Sequence, residues 1–246
     1  MRKQIEDTVL WIQDQVNHSG ANGILVGVSG GIDSAVVAYL TKRALPKHSL
    51  GVIMPCKNDV DDQKDAKKVV EGSGIDYLTI DLTDTHDTLF TSIKRTLTEK
   101  NYWNEKTEKL DDGNLRARLR MSTLYTIANH YGYLVAGTGN AAEWYTGYFT
   151  KYGDGGVDVL PLIHFLKGQI FHMADILGIP EEIIKKAPSA GLWEGQTDEK
   201  EMGTTYDRID DFLQGKKIPD RDSHLIRKMH EKTGHKRSSP SIPSKF

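Results

Sequence analysis

Apolar residues along this chain alternate between short unbroken runs and longer stretches where they recur at helical spacing. Ile5, Val9, Ile12 and Val16 mark one stripe of an opening helix that stops near Asn17-His18-Ser19-Gly20. Residues 23–28 form a solid apolar run, the pattern of a buried parallel strand, and a helix is predicted over 32–44, ending around Pro46. A second strand is predicted at 50–54, a charged helix at 58–72, a third strand at 75–80 and another helix at 82–99. Residues 100–113 are polar and predict a mobile loop; a helix over 114–131 then leads into a strand at 133–137. Helical character returns at 140–146, 167–177, 180–186, 203–214 and 221–233, and the polar tail from 237 to 246 carries little order.

Short apolar strands alternating with helices predict an α/β fold, a parallel sheet covered on both faces. In such sheets ligands bind beyond the carboxyl ends of the strands, near the point where the winding reverses. There is no internal repeat and no linker-like boundary, so residues 1–246 are expected to form one domain.

Composition narrows the classes. The chain has 246 residues, 38% hydrophobic and 27% charged, with a formal net charge of −2. That balance gives no reason to expect a nucleic-acid partner or an anionic membrane. No run approaches a membrane-spanning length, and the basic N-terminus lacks an apolar segment behind it, so a cytoplasmic location is expected. The lone Cys56 excludes a disulfide framework and a cysteine-based zinc site; it reads as a small buried apolar residue. The nine histidines show no metal-binding spacing.

The chemistry concentrates after two strands. Val28-Ser29-Gly30-Gly31-Ile32-Asp33-Ser34 joins the first parallel strand to its helix, and the amides of Gly30, Gly31 and Ile32 are expected to face an anion there. The loop lacks the lysine of a Walker A sequence. An acid, Asp33, beside a phosphate makes electrostatic sense when a divalent cation neutralises both. The bland alternative is a glycine turn capped by Ser29. The second post-strand turn is Gly137-Thr138-Gly139-Asn140-Ala141-Ala142-Glu143. Its Thr138 offers a hydroxyl to a nucleotide and Glu143 a second carboxylate for Mg²⁺, although helix capping explains Thr138 and Asn140 equally well. Residues 145–158 follow, with four glycines, two acids, one lysine and four aromatic rings in 14 residues. That is a poor core element and suits a loop whose backbone approaches a ligand closely. Lys167, after Pro161, offers a point charge to a phosphate, or is a solvated surface lysine.

Ser29–Ser34 resembles the pyrophosphate-binding motif of the N-type ATP pyrophosphatases, which cleave ATP to AMP and pyrophosphate while adenylating a substrate. The motif alone does not choose among the group's synthetases. With 137–143, the block Gly147-Tyr148-Phe149-Thr150-Lys151-Tyr152-Gly153-Asp154-Gly155-Gly156, Asp158, Lys167, the 186–192 loop, Thr205–Asp210 and His235-Lys236-Arg237, the chain is similar to the ammonia-dependent NAD synthetase family from about residue 5 to about residue 237. The resemblance implies a doubly wound, mainly parallel five-stranded sheet of the adenine nucleotide alpha hydrolase type. It also implies amidation of deamido-NAD with ammonia at the expense of ATP, through an adenylated nicotinate, in a cytoplasmic homodimer with contacts around 114–146. By position it implies that Gly27, Val28, Ser29, Gly30, Gly31, Ile32, Asp33 and Ser34 hold the ATP phosphates, with Thr138, Lys167 and Ser189 also on ATP. Asp33 and Glu143 would bind Mg²⁺. Arg118, Tyr148, Lys151, Asp158, His235 and Lys236 would bind deamido-NAD, with Tyr148 stacked on the nicotinate. Asp154 would stand near the nicotinate carboxylate and ammonia; it joins Asp33 and Lys167 as a catalytic candidate. Two departures stand out: Ser189 where Thr is frequent, and a 191–197 loop unlike the family's commoner Asp-Leu-rich version. Glutamine-using relatives carry a separate glutaminase domain, for which this length leaves no room, so free ammonia is the expected donor.

Overall fold

The structure, a computed structural model, describes residues 1–57, 60–188 and 197–244. Its elements run α1 (Arg2–Ser19), β1 (Gly23–Gly27), α2 (Ile32–Ala44), β2 (Ser49–Ile53), α3 (Val60–Ser73), β3 (Asp76–Thr79), α4 (Thr83–Glu99), α5 (Glu108–Tyr131) and β4 (Tyr133–Ala136). The chain continues through α6 (Ala141–Thr146), α7 (Lys167–Leu177), α8 (Glu181–Lys185), α9 (Asp198–Met202), α10 (Tyr206–Leu213) and α11 (Asp220–Lys232) to a 3-10 turn at Gly234–Lys236.

The four strands pair in parallel in the order β3-β2-β1-β4. β1 lies inside the sheet, and the winding reverses across it: β2 and β3 lie on one side and β4 on the other. Alternation along β1 divides the core. Ile24, Val26 and Val28 face a cluster with α1, α2, α3 and α7, whereas Leu25 faces α5 alongside Val52, Leu124, Ala128 and Val135. Helix α2 is buried on nearly every face, because α1, α3 and α7 all pack around it. A smaller core, Ala142, Met202, Tyr206, Ile209 and Ile226, ties α6, α9, α10 and α11 together beyond the sheet's carboxyl edge.

Three expectations need correcting. The described residues form four strands, not five: past β4 the chain contributes only a single parallel bridge, Ala136 to Val159. Pro161, two residues on, has no N–H to extend a ladder. The expected loop at 100–113 is helical from Glu108; acids at 108 and 111 favour a helix N-terminus, and Leu110 alone leaves that turn without an apolar stripe. The expected helix over 203–214 begins only at Tyr206, capped by the Thr205 hydroxyl, while α9 occupies 198–202.

Candidate active site

The phosphate loop leaves β1 and enters α2 through a self-bonded serine pair. Ser34 Oγ donates to Gly31 O (2.9 Å), so the 3.0 Å contact between the two hydroxyls has Ser29 Oγ as its donor. Gly31 N–H donates to Ser29 Oγ at 3.2 Å, which withdraws one of the three amides expected to face an anion. Those of Gly30 and Ile32 have no acceptor among the described residues. Gly30 has φ +83°, and a Cβ there would lie 2.8 Å from Asp62 O and 2.9 Å from Ala66 N. The loop is therefore pressed against the first turns of α3, an approach only glycine permits. Beside Ser29, Met54, Pro55, Asp62 and Arg120 line a small pocket at the carboxyl ends of β1 and β2.

Asp33, in the first turn of α2, meets side chains from two other elements, α7 and the cap of α6. Lys167, at the start of α7 and 2% exposed, ion-pairs with its Oδ2. Asn140, fully buried, donates Nδ2 to its Oδ1 at 3.2 Å. Asn140 also caps α6: its Oδ1 accepts from Glu143 N (3.0 Å), and Glu143 Oε2 accepts from Asn140 N (3.1 Å). The capping alternative for Asn140 and a role at the site are thus both true of one side chain. Glu143 Oε1 faces the hydroxyl of Tyr206 at 3.2 Å, and the same hydroxyl lies 2.9 Å from Asp198.

Three carboxylates, Asp33, Glu143 and Asp198, thus surround one lysine. Burial, and then the charge of Asp33, push the Glu143 carboxyl up to about 8. Burial works against the Lys167 ammonium, but Asp33 and Glu143 outweigh it and hold the group above the ordinary lysine value. The site carries more negative charge than its lysine balances. Its donors are hard carboxylate oxygens, and no group of three or more metal-ligating side chains forms among the described residues. Two carboxylates completed by substrate oxygens is the way Mg²⁺ is usually held, so Asp33 and Glu143 fit that ion.

The other half gathers Arg118 from α5, the 147–158 loop and the segment after α11. Lys151 Nζ donates to His235 O (2.6 Å), and Arg118 Nε to Lys151 O (3.4 Å). Lys236 Nζ donates to Gly147 O (2.8 Å) and Phe149 O (2.5 Å). Thr150 N donates to Asp154 at 2.8 Å. Asp154 is open to solvent yet crowded by protein atoms, and that crowding raises its carboxyl above the usual range. Arg118, Lys151, Asp154, His235 and Lys236 therefore lie together around this loop. Tyr148 turns its hydroxyl to Asp198 (3.3 Å) and Glu201 on α9, while Trp144 and Phe149, like Tyr145 and His230, form a stacked ring pair. Asp158 spends both oxygens on Tyr125 OH (2.9 Å) and Val135 N (2.8 Å), tying the loop to β4. Thr138 is half-buried just past β4. Ser189 lies outside the described residues. Sequence reasoning assigned no role to Tyr206, Asp198 or Asp210; the available signal was Tyr206 and Asp210 four apart, which places them on one helix face.

A glycine-rich turn at a helix N-terminus, at the winding reversal of a parallel sheet, with an acid of that helix's first turn paired to a buried lysine, defines a nucleotide-binding α/β enzyme of the adenine nucleotide alpha hydrolase type. The sequence profile described as NAD synthase matches residues 4–240. An NH(3)-dependent NAD(+) synthetase of Alkaliphilus oremlandii is 52% identical over 243 residues, 99% of this chain and 97% of that one. Among solved structures, NMN synthetase from Francisella tularensis superimposes with a TM-score of 0.90 at 39% identity, covering 99% of this chain and 98% of the other. NH3-dependent NAD synthetase from Campylobacter jejuni, in complex with the nitrate ion, gives 0.78 at 29% identity over 99% and 98%. The chain belongs to the NAD synthase family.

Proposed function

We propose that residues 1–246 act as one ammonia-dependent NAD synthetase domain, converting deamido-NAD, ATP and ammonia to NAD, AMP and pyrophosphate. The observation that carries this reading is the meeting of Asp33, Lys167, Asn140 and Glu143 beside the phosphate loop, together with the gathering of Arg118, Lys151 and Lys236 around the 147–158 loop. A carboxylate does not react with ammonia until its oxygen is made a leaving group. Adenylation does this, and it brings an anionic carboxylate to an anionic α-phosphate. Catalysis is then mainly positioning and charge neutralisation. Lys167 and the Gly30 and Ile32 amides supply positive potential to the phosphates; Arg118, Lys151 and Lys236 supply it to the dinucleotide. Mg²⁺ held by Asp33 and Glu143 contributes Lewis-acid stabilisation of phosphate charge when bound. In the second step ammonia attacks the acyl-adenylate and AMP leaves; Asp154 takes a proton from ammonium, a role that its raised carboxyl supports.

Self-association as a homodimer is supported by exposed apolar side chains on β3, α4 and the start of α5, among them Tyr77, Leu89, Ile93 and Leu110. No helix among the described residues is long and apolar enough to cross a membrane. The likeness to an NMN synthetase favours a second reading, amidation of the corresponding mononucleotide acid at the same site. Incubation with ATP, Mg²⁺, ammonium and either acid decides between them, with the amide and pyrophosphate measured by chromatography. Higher kcat/KM for the dinucleotide is expected. Preference for the mononucleotide moves the assignment to the second reading, and no amide above a no-enzyme control removes both.

A further inference from the structure

Helix α7 begins without a side-chain cap of its own at Leu166. Its first two amides point instead at a residue from another helix. Lys167 N donates to Asp210 Oδ1 at 3.1 Å, and Gly168 N to Asp210 Oδ2 at 3.0 Å. Asp210 is 6% exposed. Burial pushes its carboxyl up, while the two amides draw it back toward the charged form. One turn earlier on α10, the Tyr206 ring lies under the Lys167 ammonium, 4.7 Å from Nζ to the ring centroid. Residues 206 and 210 share a helix face. A single helix therefore holds Lys167 at both ends, Asp210 at its backbone and Tyr206 at its charge.

We infer that Asp210 is a positioning residue for Lys167. A lysine side chain carries several rotatable bonds, and the place its ammonium occupies depends on where its backbone starts. By clamping the first turn of α7, Asp210 fixes the line from the Lys167 backbone to Asp33 and so to a phosphate bound between them. The cap also neutralises orphan amides, a structural service that any acceptor could perform. The two roles separate in a double-mutant cycle. The inference rests on the reading of Lys167 as a phosphate-contacting residue.

The test is the dissociation constant of ATP, measured with Mg²⁺ by calorimetry, for the unaltered chain, Asp210→Asn, Lys167→Ala and the double variant. Thermal unfolding of each confirms the fold. Asp210→Asn keeps one acceptor and sets an amide NH2 against the other N–H. Roughly tenfold weaker ATP binding is expected with Lys167 present and less than about twofold with alanine at 167. Equal losses on both backgrounds make Asp210 a general support and overturn the inference, as does unchanged affinity in Asp210→Asn or in Lys167→Ala. Where Asp210→Asn does not fold, Asp210→Glu, which keeps the charge and displaces it by one methylene, runs the same cycle. The measurement needs neither dinucleotide nor ammonia, so it stands or fails separately from amide synthesis.

Discussion

Asn140 joins helix architecture to chemistry, and substitutions there separate the two. Its Oδ1 caps α6 through Glu143 N, and its Nδ2 donates to Asp33 in a fully buried setting. Asn140→Ala loses both. The cap is worth about 1 kcal/mol and a hydrogen bond to a charged group about 1.5–3, so a total loss of roughly 2.5–4 kcal/mol is expected. Asn140→Ser keeps a capping oxygen but is too short to reach Asp33 and cannot donate there as the amide does. It should recover about 1 kcal/mol while leaving Asp33 with Lys167 as its only described partner. Urea denaturation gives the stabilities, and ATP-dependent pyrophosphate release gives the activity. The alanine variant should be the less stable, and both should release pyrophosphate much more slowly than the unaltered chain. Serine as destabilised as alanine would refute the cap assignment. Full pyrophosphate release by the serine variant would show that the Asn140–Asp33 contact has no part in the chemistry.

Gly30→Ala forces a side chain into a left-handed backbone and against Asp62 O; a stability loss of at least about 1–2 kcal/mol and weaker ATP binding are expected, and unaltered ATP affinity in a binding titration counts against the close approach. Lys167→Met leaves half-buried Asp33 without its ion pair but with the Asn140 hydrogen bond, so a loss of about 1–3 kcal/mol in denaturation without metal is expected, and an unchanged midpoint rejects the pair's importance. The pH dependence follows from Glu143, whose folded carboxyl is raised to about 8. Between pH 5 and 8 the folded state binds more protons at this group than the unfolded one, so its contribution to stability falls as pH rises. In metal-free buffer Glu143→Gln should flatten that part of the stability profile, and Mg²⁺ should restore stability to the unaltered chain most at pH 8; an unchanged slope in the variant refutes the assignment.

The sheet and its loops were legible because burial writes itself into residue type. The solid run at 23–27 and the buried, mostly apolar residues of β1 and β2 follow from being covered on both sides. Asp33 and Glu143 were legible because each stands a fixed few residues after a strand. Positions whose role depends on distant partners left no local trace. Asp210 looks like any acid on a surface helix until α7 arrives 42 residues away in sequence, and Tyr206 looks like core until its hydroxyl meets Glu143. Asp158 was read as a ligand contact; the structure shows a carboxylate whose described bonds hold the loop to β4, since a Tyr–Asp–amide chain has no spacing signature. The helical start of α5 was missed because a turn with one leucine carries no period.

The grip of Lys236 on the carbonyls of Gly147 and Phe149 has a consequence in time. Thr233 packs so tightly on Gly147 that a Cβ there would come within 2.2 Å, which confines that junction to glycine. These partners are separated by more than eighty residues, and the ribosome makes the loop long before the residues that brace it. β1, the phosphate loop and α2 are made within the first 44 residues, but the α3 turn that the loop rests on and the Asn140 and Lys167 that hold Asp33 come later, so both sides of the site wait on distant parts of the chain.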